Sequence, residues 1–284
     1  MEVTQRLADF IVSSKYEDIP KQAADMAKRC ILDCLGVTIG ASIEPISKII
    51  RTYIEDQGGK PQSTVIGLNL KTSSSNAAFA NGLLGHALDY DDLQMNFWGH
   101  PTVVTLPAAL AIGEWIRASG KDLITALVLG IEAECKIGAA VNPSHYMKGW
   151  HNTATIGTFG AAVAAGRLLN LDSEQMACAL GIAGSQSAGL KENFGTMTKP
   201  FHAGQAARNG TVAALLASKG FTGARNILEG KSGFCQVMSE RYDLNKITEN
   251  LGKSWDILDV IFKPYPCCGS IHPALDAMIF LARE

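Results

Sequence analysis

Charge is scarce in this 284-residue chain: Asp, Glu, Lys and Arg make up 18% of it, against 47% hydrophobic residues. A soluble domain ordinarily carries about 25% charged residues. Much of the chain must therefore be buried, in a large core or against another subunit. A basic excess is missing too. The formal net charge is -2, whereas a nucleic-acid interface needs concentrated Lys and Arg, so no nucleic-acid partner is expected. Long apolar runs are absent, since no uncharged apolar run reaches the ~18 residues that span a bilayer. The opening Met1-Glu-Val-Thr-Gln-Arg holds no apolar h-region. The expectation is a cytoplasmic protein with no membrane partner.

Several motifs are missing as well. Nothing repeats at a fixed period. No His-x-x-x-His, His-x-His or Cys-x-x-Cys occurs, so no local metal site is expected, and only a metal assembled from distant ligands stays open. Gly157-Thr-Phe-Gly160 and Gly181-Ile-Ala-Gly184 do not form Gly-x-Gly-x-x-Gly after a strand, and read as helix packing rather than a nucleotide loop. Seven cysteines is an odd number, and Cys30, Cys34, Cys135 and Cys178 fall inside helical patterns. Reduced thiols follow. The vicinal pair Cys267-Cys268 rarely bridges itself, and the other cysteines offer it no iron–sulfur partners.

What is present is mainly α-helical periodicity. Val3, Leu7, Phe10 and Ile11 share one helical face. A second helix opens at Asp18 and Pro20 and buries Ala24, Ala27, Ile31, Leu32 and Leu35. A third follows Pro45, with Ile46, Ile49, Ile50 and Tyr53 facing inward. Residues 63–67 are the one early strand candidate. Small-residue helices are expected over 73–88, 101–117, 122–140 and 153–169, with Gly120 as a stop. Asp172-Ser-Glu-Gln175 forms a capping box that starts a helix to about 188. Residues 142–151 and 189–200 read as loops, with Lys199 held extended by the following proline. A helix spans 202–219, an alternating strand pattern 255–262, and a helix that reaches the last residue starts at 271. That open end predicts a fragment of a longer chain.

The chemistry concentrates in residues 89–101, where Asp89, Asp91, Asp92 and His100 fall between apolar helices. Asp clusters often cap helices or turn the chain, which explains one or two of them. Three beside an imidazole favour a general base, or an orienter for His100. Four of six histidines border loop signals: Gly99-His100-Pro101, Trp150-His151-Asn152, Pro200-Phe201-His202 and Ile271-His272-Pro273. Loops on a rigid scaffold commonly carry catalytic groups. His86 and His145 lack that context and read as core or loop residues. Lys199, in Gly195-Thr-Met-Thr-Lys-Pro-Phe-His202, precedes a helix N-terminus where lysine and backbone N–H groups together suit a carboxylate.

These residues in their contexts resemble the MmgE/PrpD family, which holds 2-methylcitrate dehydratase, cis-aconitate decarboxylase and iminodisuccinate epimerase. The resemblance covers essentially the whole chain. It rests on His86-Ala-Leu-Asp-Tyr-Asp-Asp92, Gly99-His-Pro101, Gly149-Trp-His151, Ala179-Leu-Gly-Ile-Ala-Gly-Ser-Gln186, Lys199-Pro-Phe-His-Ala-Gly204, Gly220-Phe-Thr-Gly223 and Lys263-Pro-Tyr-Pro-Cys-Cys268 with His272. It implies a large all-helical domain, here 1–260, and a smaller α+β lid of which 261–284 is the start. It also implies a homodimer and a site between the two domains that needs no metal or other cofactor. The matching site positions are Asp89, His100, His151, Lys199 and His272, with His202 beside Lys199. The match around Asp89 is offset by one residue, so Asp91 or Asp92 competes for its role. The implied activity is a lyase acting on a small di- or tricarboxylic acid through an enolate-like carbanion. The alternatives are α-proton transfer by an epimerase, or a non-catalytic helical binding protein.

Overall fold

The structure is a computed structural model that describes residues 2–283; the outermost residues of the expected first domain and last helix, Met1 and Glu284, lie outside it. In chain order the helices are α1 (Val3–Ser13), α2 (Lys21–Gly40) and α3 (Pro45–Gln57), followed by strands β1 (Ser63–Val65) and β2 (Leu70–Thr72). Then come α4 (Ser74–His86), α5 (Thr102–Ile116), α6 (Gly120–Val141), α7 (Ser144–Met147), α8 (Asn152–Thr155), α9 (Gly157–Leu168) and α10 (Ser173–Ser185). The last are α11 (Thr198–Ala217), α12 (Phe234–Met238), α13 (Asn245–Thr248) and α14 (His272–Leu281). The fold is mainly α, as the periodicity predicts. Residues 63–67 do start a strand, but it pairs antiparallel with β2, which the sequence pattern did not single out.

Helix α9 is the axis. From Gly157 through Gly166 every residue is buried, and α5, α6 and α11 enclose it. Such close packing needs small side chains. A Cβ on Gly210 of α11 would lie 2.5 Å from Ala161 of α9, and one on Gly204 would lie 2.4 Å from the Phe79 carbonyl oxygen of α4. Gly204→Ala therefore sets backbone against backbone, and neither rigid helix can yield. It is expected to destabilise the protein by about 1–3 kcal/mol, read from urea or thermal denaturation. A midpoint equal to the wild type's would mean that α4 and α11 are not in this close contact.

Glu134 of α6 is a carboxyl sealed in this core. It accepts a hydrogen bond from the Thr105 hydroxyl at 3.0 Å, while its other oxygen is buried without a partner. Burial pushes it well above the usual glutamate range, against the pull of Thr105. The folded state thus keeps a proton that the unfolded state gives up, and stability falls as pH rises through the unfolded pKa toward the folded one. Glu134→Gln keeps the volume without the ionisable group. It is expected to melt near the wild type at pH 5 and clearly above it at pH 8, by differential scanning calorimetry. A gap independent of pH would refute the buried-proton reading.

The structure corrects several sequence expectations. On α2 the buried stripe runs through Ala23, Ala27, Cys30, Cys34 and Val37, and Leu32 is 74% exposed. On α3 it runs Ile46, Ile50, Ile54, with Ile49 and Tyr53 turned outward. In both cases two apolar stripes overlap, and the choice between them lies in the neighbouring helices. Arg117, in left-handed backbone at φ 58°, ends α5, whereas Gly120 begins α6 behind a Ser119–Asp122 capping box. The 142–151 loop contains the short helix α7, and α10 ends at Ser185. Lys199 is not extended but lies in the first turn of α11 with Pro200 after it. First-turn N–H groups have no partner within the helix, so a proline there removes no helix hydrogen bond. Residues 255–262 form a 3-10 turn over Asp256–Asp259 and a single bridge, Leu93 to Ile261, instead of a strand. No neighbouring strand is there to extend the bridge, which nevertheless ties the chain's later part to residues 89–101.

Candidate active site

After α4 the chain runs through residues 87–101 before α5 begins, and this excursion builds one wall of a cavity of about 520 Å³. Asp89, at φ 49°, turns the chain in the left-handed region that Asp tolerates better than most residues. His86, Asp89, His100, His151, Lys199 and Cys268 all line the cavity, with aromatic walls from Trp98, Tyr146 and Phe194. It is concave and partly apolar, with a few converging polar groups, as ligand sites usually are.

The three carboxylates have separate jobs. Asp89 faces the cavity between two ammonium groups: Lys199 Nζ lies 2.6 Å from Oδ2, and Lys263 Nζ lies 2.7 Å from Oδ1 and 2.7 Å from the Asp89 carbonyl oxygen. Burial raises its pKa, but the charge and hydrogen bonds of the two lysines outweigh this and hold it well below the usual range. Asp91 is 1% exposed, behind the wall, with Oδ2 2.8 Å from His86 Nδ1 and 3.4 Å from His100 Nδ1. Burial opposes its charge, and the two imidazoles overcome the penalty and keep it ionised. Asp92, equally buried, accepts from the backbone N–H and hydroxyl of Thr102 and so caps α5. Burial and the nearby Asp91 push it up to about 7, against the Thr102 bonds. Asp89 is thus the only one of the three that reaches the cavity.

His100 Nδ1 lies 2.7 Å from the Asp92 carbonyl oxygen. A carbonyl only accepts, so Nδ1 carries the proton and Nε2 is left as a lone-pair acceptor. Burial lowers the pKa to about 4, more than Asp91 raises it, with His86 lowering it further. His151 is likewise held neutral, by burial foremost. Its Nδ1 is 3.1 Å from Nδ1 of His202, which supports it from behind and does not line the cavity. His272 is not brought to the cavity wall: its Nε2 turns to the Cys267 carbonyl oxygen at 3.3 Å and its ring packs on Tyr265.

A family model of the MmgE/PrpD N-terminal domain matches residues 5–246. The chain belongs to the MmgE/PrpD family. A cis-aconitate decarboxylase of Aspergillus terreus is 31% identical over 99% of this chain and 60% of its own length. The cis-aconitate decarboxylase of Homo sapiens is 32% identical over 97% of this chain and 58% of its own length. A 2-methylcitrate dehydratase of Escherichia coli is 28% identical over 76% of this chain and 47% of its own length. The chain therefore spans about 60% of the length of the decarboxylases it matches.

Two residues of this MmgE/PrpD site escaped the sequence reading. His86, expected to be a core or loop residue, is buried at the cavity wall with Asp91 behind it. Lys263, whose side chain is fully buried, is the second cation on Asp89. A signal for it was present: Lys199-Pro200-Phe201 and Lys263-Pro264-Tyr265 share the pattern Lys-Pro-aromatic. His86, Asp89, Asp91 and His100 each bring one possible metal-ligand atom within 4.8 Å of the others. Their chemistry argues against a cation there, because two ammonium groups already neutralise Asp89 and His86 already engages Asp91. No single described helix is long and apolar enough to cross a membrane.

Proposed function

We propose that this chain forms the helical part of a lyase acting on a small di- or tricarboxylic acid, with residues 1–260 as the helical body and 261–284 beginning a lid. One observation carries the reading: the Lys199 ammonium and two neutral imidazoles, His100 and His151, line one cavity of small-molecule size, with Lys263 held against Asp89 behind its wall. Removing CO₂ or water from such an acid places negative charge on a carbon beside a carboxylate. Fixed cations stabilise that charge as it forms. Lys199, 14% exposed at the cavity, can exchange Asp89 for a substrate carboxylate, while Lys263 stays with Asp89 behind it. Where an α-proton is lost, as in dehydration, His100 Nε2 is the base; in decarboxylation the broken C–CO₂ bond leaves its electron pair on the carbon, and His151, backed by His202, is the partner that gives the carbanion a proton. The chemistry asks nothing of a metal or other cofactor. Decarboxylation is favoured over dehydration because the relatives named cis-aconitate decarboxylase match nearly the whole chain, and those named dehydratase about three quarters. The working form is a cytoplasmic homodimer.

Incubating the protein with cis-aconitate, citrate-like and aspartate-like acids separates the outcomes. Released CO₂ marks a decarboxylase, and new ultraviolet absorbance without CO₂ a dehydratase. Deuterium uptake at the α-carbon without either would transfer the assignment to an epimerase. Silence with every acid would leave a binding protein and overturn the proposal.

A further inference from the structure

Of the seven cysteines, Cys30, Cys34, Cys135, Cys178 and Cys235 are buried, Cys267 is partly covered and Cys268 is exposed. Cys268 alone among them lines the cavity, which it shares with Lys199, His100 and His151. Its Sγ lies 3.1 Å from the Ser270 hydroxyl oxygen. Burial raises the thiol's pKa, but hydrogen bonds with the Ser270 side chain and backbone outweigh this and hold it below the ordinary thiol range; Asp89 pulls it up and Lys199 down. The thiolate is the nucleophilic form of cysteine, and low thiol pKa with access to solvent marks a reactive one. The same cavity carries an unmet polar group. The His86 side chain is fully buried, and its Nε2 has no partner. Whichever ring nitrogen holds the proton, Nε2 is left for a polar atom of whatever fills the cavity. With the Lys199 ammonium on the same wall, the occupant that suits both is a small carboxylate.

We propose that Cys268 is a modification site for α,β-unsaturated carboxylic acids: an acid seated by its carboxylate at Lys199 presents its double bond to the thiol and is captured as a thioether. The proposal rests on the reading of the cavity as a carboxylate site given above, and not on turnover. The step balances without oxidant or leaving group. The Cys268 sulfur forms a bond to the β-carbon, and the π pair of the C=C bond moves to the α-carbon. There the adjacent carboxylate, held by the Lys199 ammonium, stabilises it. The α-carbon then takes up one proton, equal to the one the thiol gave up. Loss of water or CO₂ from a citrate-like or aconitate-like acid yields acids of this class, so the adduct is a route by which product closes the cavity that made it.

The test has two arms, both read on the wild-type protein by peptide mass spectrometry. In the first, iodoacetate and iodoacetamide are compared as alkylating agents. An ordinary thiolate favours the neutral amide, because its own charge repels an anion. At Cys268 the preference is expected to reverse, with iodoacetate at least about tenfold faster than the same ratio measured on a free cysteine peptide. Lys199→Met should abolish that gain and leave the iodoacetamide rate in place. In the second arm the protein is incubated with fumarate and with maleate. Its mass is expected to rise by one whole acid molecule, located at Cys268, lost in Cys268→Ser and kept in Cys267→Ser. No preference for the anionic reagent overturns the proposal, and so does failure of both acids to add at Cys268. Neither arm needs catalysis. If Cys268 takes up fumarate while no acid is turned over, the lyase reading falls and this one stands; turnover beside an unmodified Cys268 does the reverse.

Discussion

Lys199→Met is expected to lower kcat/KM by about 10²–10³-fold, the usual consequence of removing one preorganised donor from a developing anion. The loss should appear in kcat as well as KM, because charge on the substrate grows between ground state and transition state. The fold should survive the change. Asp89 keeps Lys263, whose buried ammonium lies 2.7 Å from both the carboxylate and the carbonyl oxygen of that residue. Lys199 itself is partly exposed, and such ion pairs add about 1 kcal/mol or less to stability. Steady-state kinetics beside a thermal melt check both halves. A variant that melts normally and turns over at the wild-type rate would remove Lys199 from the site. Lys199→Arg is not expected to rescue, since a planar guanidinium in the first turn of α11 would hold Asp89 in two-point contact instead of releasing it to a substrate.

His100, His151 and Lys199 were readable from sequence because each interrupts an apolar, small-residue pattern where nothing in packing calls for a charge or an imidazole. Their convergence was not readable, since it depends on α11 packing closely against α4 at Gly204. Asp89, Asp91 and Asp92 were inseparable as letters. The left-handed turn at Asp89 separates them, sending one carboxylate to the cavity, one behind the imidazoles and one to the start of α5. His86 stayed hidden for the opposite reason. It closes a regular helix, and only Asp91, five residues on, shows that its ring faces a site rather than a core. The outward turn of Leu32 and Ile49 is of the same kind: local periodicity offers two stripes, and tertiary packing selects one.

His100→Asn is expected to reduce kcat by about 10²–10⁴-fold, the range that a positioned general base contributes. The shorter amide can still donate to the Asp92 carbonyl that now accepts from His100 Nδ1, so residues 92–100 keep their course. Asp91 also keeps its stronger partner, His86. The pH dependence carries the sharper prediction. The His100 pKa is lowered to about 4, by burial foremost, so at neutral pH the ring is already the free base. Activity should then be level through the neutral range and fall as the pH drops through about 4, where the ring gains its proton. In His100→Asn that limb should vanish, leaving a low and flat profile down to the point of unfolding. Brief exposure to each acid pH, followed by assay at pH 7, separates reversible protonation from denaturation. A retained limb in the variant would hand the titration to another group, with neutral His151, stacked on His86 at the cavity wall, the next base in reach.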